Sequence, residues 1–197
     1  MGLNLILVAG LPASGKSGFA SYAGTQLHLP VIAKDDLKEI LFDDVGFRSR
    51  AEKVRLGTAA MDLMYFMADR FLAQGTSVIL DNNFEASSVP GLKKLTARYP
   101  CRLITVRFDA EVEAVYRRFL KRDQDPARHR GHVVNTAYPE KEPEPYVPLS
   151  LEAFESKFLR RGMMDFYAGG TLLTVDVTTF DRYSPEELLG RLKSAMA

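Results

Sequence analysis

The chain reads as an α/β protein with a parallel sheet covered by helices on both faces, and three observations give that reading. Short apolar runs alternate with helical patterns in the order β-α-β-α-β, which requires right-handed crossovers and a parallel sheet. Each run is aliphatic or β-branched throughout rather than alternating with polar residues, as strands buried on both faces should be. The first run leads into a glycine-rich loop that opens a helix.

Taken in order, the strands are expected at residues 4–9, 31–33, 77–80, 102–108 and 171–177. A helical stretch over 17–27 follows the first strand, and Lys34-Asp35-Asp36-Leu37-Lys38-Glu39 opens another after the second. Ser49-x-x-Glu52 resembles a capping box for a long helix reaching about Ala73 and closed by Gly75. Met61, Met64 and Met67 recur along it at helical spacing and read as core. Ser184-Pro185-Glu186-Glu187 opens the C-terminal helix, with proline at the first helical position. Residues 123–148 break the pattern: no period is visible and five prolines occur. Such a stretch inside a compact domain reads as a lid, basic at first (Arg128, His129, Arg130, His132), then an extended acidic connector.

At 197 residues the chain is expected to form one domain, with the lid and connector inside it. The hydrophobic content of 46% and net charge of +1 describe a water-soluble chain with no global field toward nucleic acid or membrane. A long nucleic-acid track is therefore not expected, and any basic site must be local. The apolar N-terminal run is too short for a membrane span, and the one cysteine, Cys101, rules out a disulfide framework. The expected location is the cytoplasm; oligomeric state is not legible.

Gly10-Leu11-Pro12-Ala13-Ser14-Gly15-Lys16-Ser17 fits the pattern G-x-x-x-x-G-K-[ST] at every fixed position, between a strand and a helix. Its backbone N–H groups, with that of Gly18, would form a nest for phosphate at a helix N-terminus. Lys16 would reach the β- and γ-phosphates, and the Ser17 hydroxyl would sit on Mg²⁺. After the second strand stand two adjacent carboxylates, Asp35 and Asp36. One can orient an accepting hydroxyl for in-line attack, and Asp35 is the candidate. The other suits a helix cap, since Asp36 with Glu39 mimics a capping box. The third strand ends in Asp81, a carboxylate placed to hold Mg²⁺ directly or through water, beside a turn containing Asn83. Either Asp36 or Asp81 could dominate the metal site. Beyond the fourth strand Arg118 and Arg122 precede the basic lid, where guanidinium groups can cover a transferring phosphoryl group. Arg117 and Lys121 read as a solvated face, and His129-x-x-His132 lacks the further ligands a metal site needs.

With GLPASGKS, KDDLKE, LDNNF, RFDAEVEAVYRRFLKR and RHRGH assembled, residues 4–132 resemble the P-loop kinases that include polynucleotide kinases, chloramphenicol phosphotransferases and zeta-toxin-like sugar kinases. The resemblance implies a three-layer P-loop NTPase fold with five parallel strands in the order 2-3-1-4-5 and a lid after strand four. It implies ATP·Mg²⁺ as donor and a hydroxyl-bearing acceptor: a small molecule, a nucleoside or nucleotide, or a nucleic-acid 5′ end. Asp35 then falls on the general base, and Arg122, with Arg118 one turn before it, on the arginine that contacts the transferring phosphate. Lys38 stands where these kinases carry an arginine for the acceptor, joined by Arg128 and His129. The rival expectation is an ATP-hydrolysing switch acting on a protein partner; the spare aspartate and the basic lid argue for a second substrate instead.

Overall fold

The computed structural model describes residues 2–197. Five strands, β1 (Asn4–Gly10), β2 (Val31–Ala33), β3 (Val78–Asp81), β4 (Arg102–Asp109) and β5 (Thr171–Asp176), form one sheet. All pairings are parallel, and the order is β2-β3-β1-β4-β5. Among the described residues eight α-helices, with three short 3-10 turns, accompany the sheet: α1 (Lys16–Leu27), α2 (Lys34–Asp44), α3 (Arg50–Ala73), α4 (Val89–Arg98), α5 (Val112–Asp123), α6 (Arg130–Val133), α7 (Leu151–Phe158) and α8 (Pro185–Met196). This is the P-loop fold expected from the sequence, and each strand lies within a residue or two of its expected place.

The central strand explains the two-sided core. Every residue of β1 is buried. Successive side chains point to opposite faces of a sheet, so β1 feeds two cores. Ile6 and Val8 pack with Phe19, Phe119, Phe154 and Leu192 on one side; Leu5 and Leu7 pack with Met64, Ala68, Leu72 and Leu92 on the other. Met64 is fully buried and Met61 and Met67 pack around that second core, as the helical spacing indicated.

The caps divide into those built and one not built. Ser49 accepts a hydrogen bond from the Glu52 N–H at 3.2 Å, and Glu52 in turn accepts from the Arg48 N–H at 2.6 Å. Ser184 caps α8 through the Glu187 N–H at 3.2 Å. The Asp36–Glu39 box is absent: α2 begins at Lys34, Ala33 occupies its N-cap, and no side chain caps it. Both aspartates therefore lie inside the first turn, where they complement the helix dipole and remain free for other work.

Residues 123–148 are more ordered than a bare lid. α6 forms there, capped by His129, whose Nδ1 accepts from the Gly131 N–H at 3.0 Å. A small third core of Phe42, Phe47 and Val134, with Tyr138 against it, docks the segment onto α2. The acidic stretch is not purely a solvated connector: Arg130 donates to Glu140 at 2.8 and 2.6 Å and to the Glu144 carbonyl at 3.1 Å. Among the described residues no helix is long and apolar enough to cross a membrane.

Candidate active site

Strand register brings the functional residues to one edge. Gly10 pairs with Phe108, while Val8 and Ala33 both pair with Asp81. The phosphate loop, the start of α2 and the end of β3 thus converge beyond the C-terminal strand ends, where ligands bind in open α/β sheets.

The loop's curvature is written in its backbone. Gly10 (φ 139°), Ala13 (φ 67°) and Gly15 (φ 85°) all lie in the left-handed region. At Gly10 a side chain would also collide with the Phe108 carbonyl, 2.7 Å from where its Cβ would sit. Gly15 is the N-cap of α1 and no side chain caps that helix, so the N–H groups of Lys16, Ser17 and Gly18 are available to an anion. Leu11, Pro12 and Ser14 are buried and hold the loop in place.

Lys16 is buried, and burial pulls its ammonium pKa down; Asp81 and Asp35 oppose that, while Arg122 and Arg128 reinforce it. The same five groups are the ones the sequence singled out, now in one electrostatic neighbourhood. Burial pushes the Asp81 carboxyl up, opposed by Lys16 and by the Ser17 hydroxyl beside it. Its Oδ1 is buried without a hydrogen-bond partner among the described residues. A buried, unpartnered carboxylate oxygen beside the Ser17 hydroxyl fits the donor set Mg²⁺ takes. Asp36 is exposed, and its carboxyl is raised by burial and by Asp35. The geometry thus favours Asp81 over Asp36 as the metal-facing carboxylate.

Asp35 faces the cleft. Burial would raise its carboxyl, but His132, Lys38, Lys16 and Arg128 outweigh that and hold it at about 2. Arg128 bridges to it at 4.0 Å and reaches Glu39 and Asp123 at 3.9 Å each. These spacings leave the guanidinium loosely held, and its Nε is buried without a hydrogen bond among the described residues. Arg122 is anchored differently, donating to Asp123 at 3.2 and 3.0 Å.

A cleft of about 990 Å³ opens beside these groups, with Asp35, Lys38, Asn82, Asn83, Arg122 and Arg128 on its walls. The Asn83 Oδ1 is buried and unpartnered among the described residues, an acceptor aimed at nothing in the protein. A second groove of about 1270 Å³ lies around Phe47, Arg55 and Tyr138, and no residue of the phosphate loop lines it.

Two expected site residues are placed away from the cleft. Arg118 stacks on Phe180 at 4.0 Å and donates to the Thr178 carbonyl at 2.5 Å. Phe180 in turn covers Gly15, where an added Cβ would lie 2.9 Å from its ring. Arg118 therefore belongs with the loop after β5, on the phosphate-loop side, apart from Arg122. His129 points at Asp43 (3.0 Å) and Tyr138, while His132 takes the cleft wall and meets Glu39 at 2.7 Å. Arg117, as expected, is exposed beside Glu113.

Sequence reasoning missed Phe180, Lys53, Lys157 and Arg161. Lys53 is 3% exposed. Its ammonium donates to the His132 carbonyl at 2.9 Å, to the Val134 carbonyl and to Asn135 at 3.4 Å, which ties the basic segment to α3. Lys157 and Arg161 reach the cleft from beyond the recognisable motifs. The available signal was a lysine on an otherwise apolar helical face, which alone identifies nothing.

Residues 5–137 match the family model described as an AAA domain. The chain belongs to this family. A solved structure from Chloroflexus aurantiacus, described as a "putative kinase", is similar over 100% of both chains, at 28% identity and a TM-score of 0.83. A sugar kinase from Janibacter sp. HTCC2649 covers 98% of this chain and 93% of its own, at 13% identity and TM-score 0.57. A gluconokinase from Sinorhizobium meliloti covers 98% and 91%, at 15% identity and TM-score 0.57. The last two establish likeness of fold. None of the curated proteins matches the chain.

Proposed function

We propose that this protein is an ATP-dependent kinase that transfers the γ-phosphate to a hydroxyl of a small acceptor. The observation that carries the reading is the position of Asp35. It stands between Lys16 and Arg128 on the wall of a cleft of about 990 Å³, large enough for a second substrate. A switch that only hydrolyses ATP has no need of that cleft. The Chloroflexus aurantiacus relative, described as a putative kinase, supports the same direction.

The loop amides and Lys16 bind the β- and γ-phosphates, and Arg118 on Phe180 flanks the nucleotide end. Ser17 and Asp81 would hold Mg²⁺, which would supply neutralisation of the charge that develops on the phosphates. Arg122 and Arg128 stabilise the transferring group from the lid side. Held at about 2, the Asp35 carboxyl is ionised at any working pH and is a weak base. Its work is to orient the acceptor hydroxyl, accepting that proton late, as a loose phosphoryl-transfer transition state allows. Asn83 and Lys38 contact the acceptor. The test is Asp35→Asn: phosphoryl transfer should fall by about 10² to 10⁴ with ATP affinity kept. Undiminished turnover removes Asp35 from the reaction.

A further inference from the structure

Four cations crowd the acceptor end of the cleft, and the carboxylates that act on them, Asp35 on Lys38 and Asp123 on Lys53 and Lys157, are shared with other cations. Lys38 extends from α2 across to α3, where its Cε lies 3.7 Å from where a Cβ on Gly57 would sit, and its ammonium rests over Phe42 at 5.2 Å. Arg50 and Lys53 stand in the first turn of α3, and Lys157 on α7 lies over Phe158 at 5.1 Å. All four line the same cleft. Among the described residues neither Lys38 nor Lys157 has a hydrogen-bond or ion-pair partner, and Arg50 has only Asn135 at 3.3 Å. Asp123 is the carboxylate whose charge opposes the lowering of the Lys53 and Lys157 pKa values, and it already pairs with Arg122 at 3.0 Å and Arg128 at 3.9 Å. The cost of this crowding is visible: burial lowers the Lys157 ammonium, and Arg50 lowers it further. Lys53 is pulled to about 7 by burial, then by Lys38, Arg50 and Lys157. Like charges held together with too few carboxylates to pair them mark a place suited to an anion.

We propose that Lys38, Arg50 and Lys157 form an anion-binding subsite at the acceptor end of the cleft, so that the accepted alcohol also carries a phosphate or carboxylate. The subsite rests on the kinase reading for the alcohol but not for the anion. Asp35 and Lys38 are three residues apart on α2 and share a face, which places the anionic group roughly one helical turn, about 5 Å, from the reacting hydroxyl. Lys157 lies outside the matched residues 5–137, so this part of the site belongs to the chain's own C-terminal portion. Lysine and arginine from three separate helices select for charge, and a neutral sugar or alcohol would leave them unpaired.

Titration calorimetry on the full chain tests this, with the phosphate loop filled by Mg²⁺ and a non-hydrolysable ATP analogue. The probes are glycerol 3-phosphate, D-glycerate and glycerol. Binding of either anionic probe at least about tenfold tighter than glycerol is expected, since a hydrogen bond to a charged group contributes that much or more. Tighter binding of the phosphate probe identifies a phosphorylated acceptor, and of D-glycerate a hydroxy acid. Lys157→Gln should weaken that binding about tenfold while Lys157→Arg keeps it; should Lys157→Gln not fold, Arg50→Gln is read the same way. Equal binding of all three probes, or an unchanged affinity in Lys157→Gln, overturns the subsite. No turnover enters the measurement, so loss of phosphoryl transfer would remove the kinase reading without touching this result, and the reverse holds.

Discussion

Replacing Lys53 by methionine isolates the contact that holds the basic segment in place. The side chain is 3% exposed, and its ammonium serves the carbonyls of His132 and Val134. Methionine preserves most of the volume and removes the ammonium, taking that donor from the buried Val134 carbonyl and the part-buried His132 carbonyl. Each hydrogen bond from a charged donor is worth about 1.5–3 kcal/mol, so the gross loss is about 3–6 kcal/mol. Against this stands relief from burying an ammonium whose pKa is already pulled to about 7, so the net cost should be about 2–3 kcal/mol. With a urea dependence of about 2 kcal/mol per molar, the unfolding midpoint should drop by about 1–1.5 M. Below the transition, kcat should fall more than about tenfold, because Arg128 and His132 lose the anchor that keeps them beside Asp35. A midpoint within about 0.2 M of the parent would refute the tether.

Other consequences follow from the same contacts. Phe180→Ala removes the ring under Arg118 and beside Gly15, and should raise the KM for ATP about 3- to 30-fold with kcat little changed; an unaltered KM would separate that stack from the nucleotide. Stability should decline on acidification below about pH 6.5. Burial holds the His132 imidazole down to about 3, so the unfolded chain takes up a proton there that the native state refuses. His132→Gln should flatten urea midpoints between pH 4 and pH 6.5, and an undiminished slope would assign the effect elsewhere. At the alkaline end the sign is set by Lys53, held at about 7, and Lys38, held at about 8, chiefly by burial; both favour the folded state increasingly as pH rises above those values, and Lys53→Met should weaken that gain.

The sheet was legible because its signals are local and repeated: strand 4–9 is apolar throughout, and Gly10 to Ser17 carries a backbone demand that few other sequences meet. Asp35 and Asp81 could be found because each follows a strand end, where an α/β sheet places its ligands. The rest depends on tertiary placement. Nothing in the sequence indicates that Phe180 folds back over Gly15, or that Arg118 and Arg122, one turn apart on α5, serve different neighbours. His129 and His132 stand three residues apart, and Asp43 and Glu39 four apart; they pair only because the small core around Phe42 docks α6 on α2. Lys157 was hidden for the same reason: α7 carries no motif, and its charge becomes meaningful only beside Arg50 and Lys38.

The reading of a two-substrate site stands most directly on transfer of labelled γ-phosphate from ATP·Mg²⁺ to a panel of alcohols, run in parallel with the parent and Asp35→Asn. Label should appear on at least one alcohol with the parent, and fall by about 10² to 10⁴ in the variant while nucleotide affinity stays the same. Release of inorganic phosphate alone, at equal rates in both proteins and unaffected by any alcohol, would contradict it.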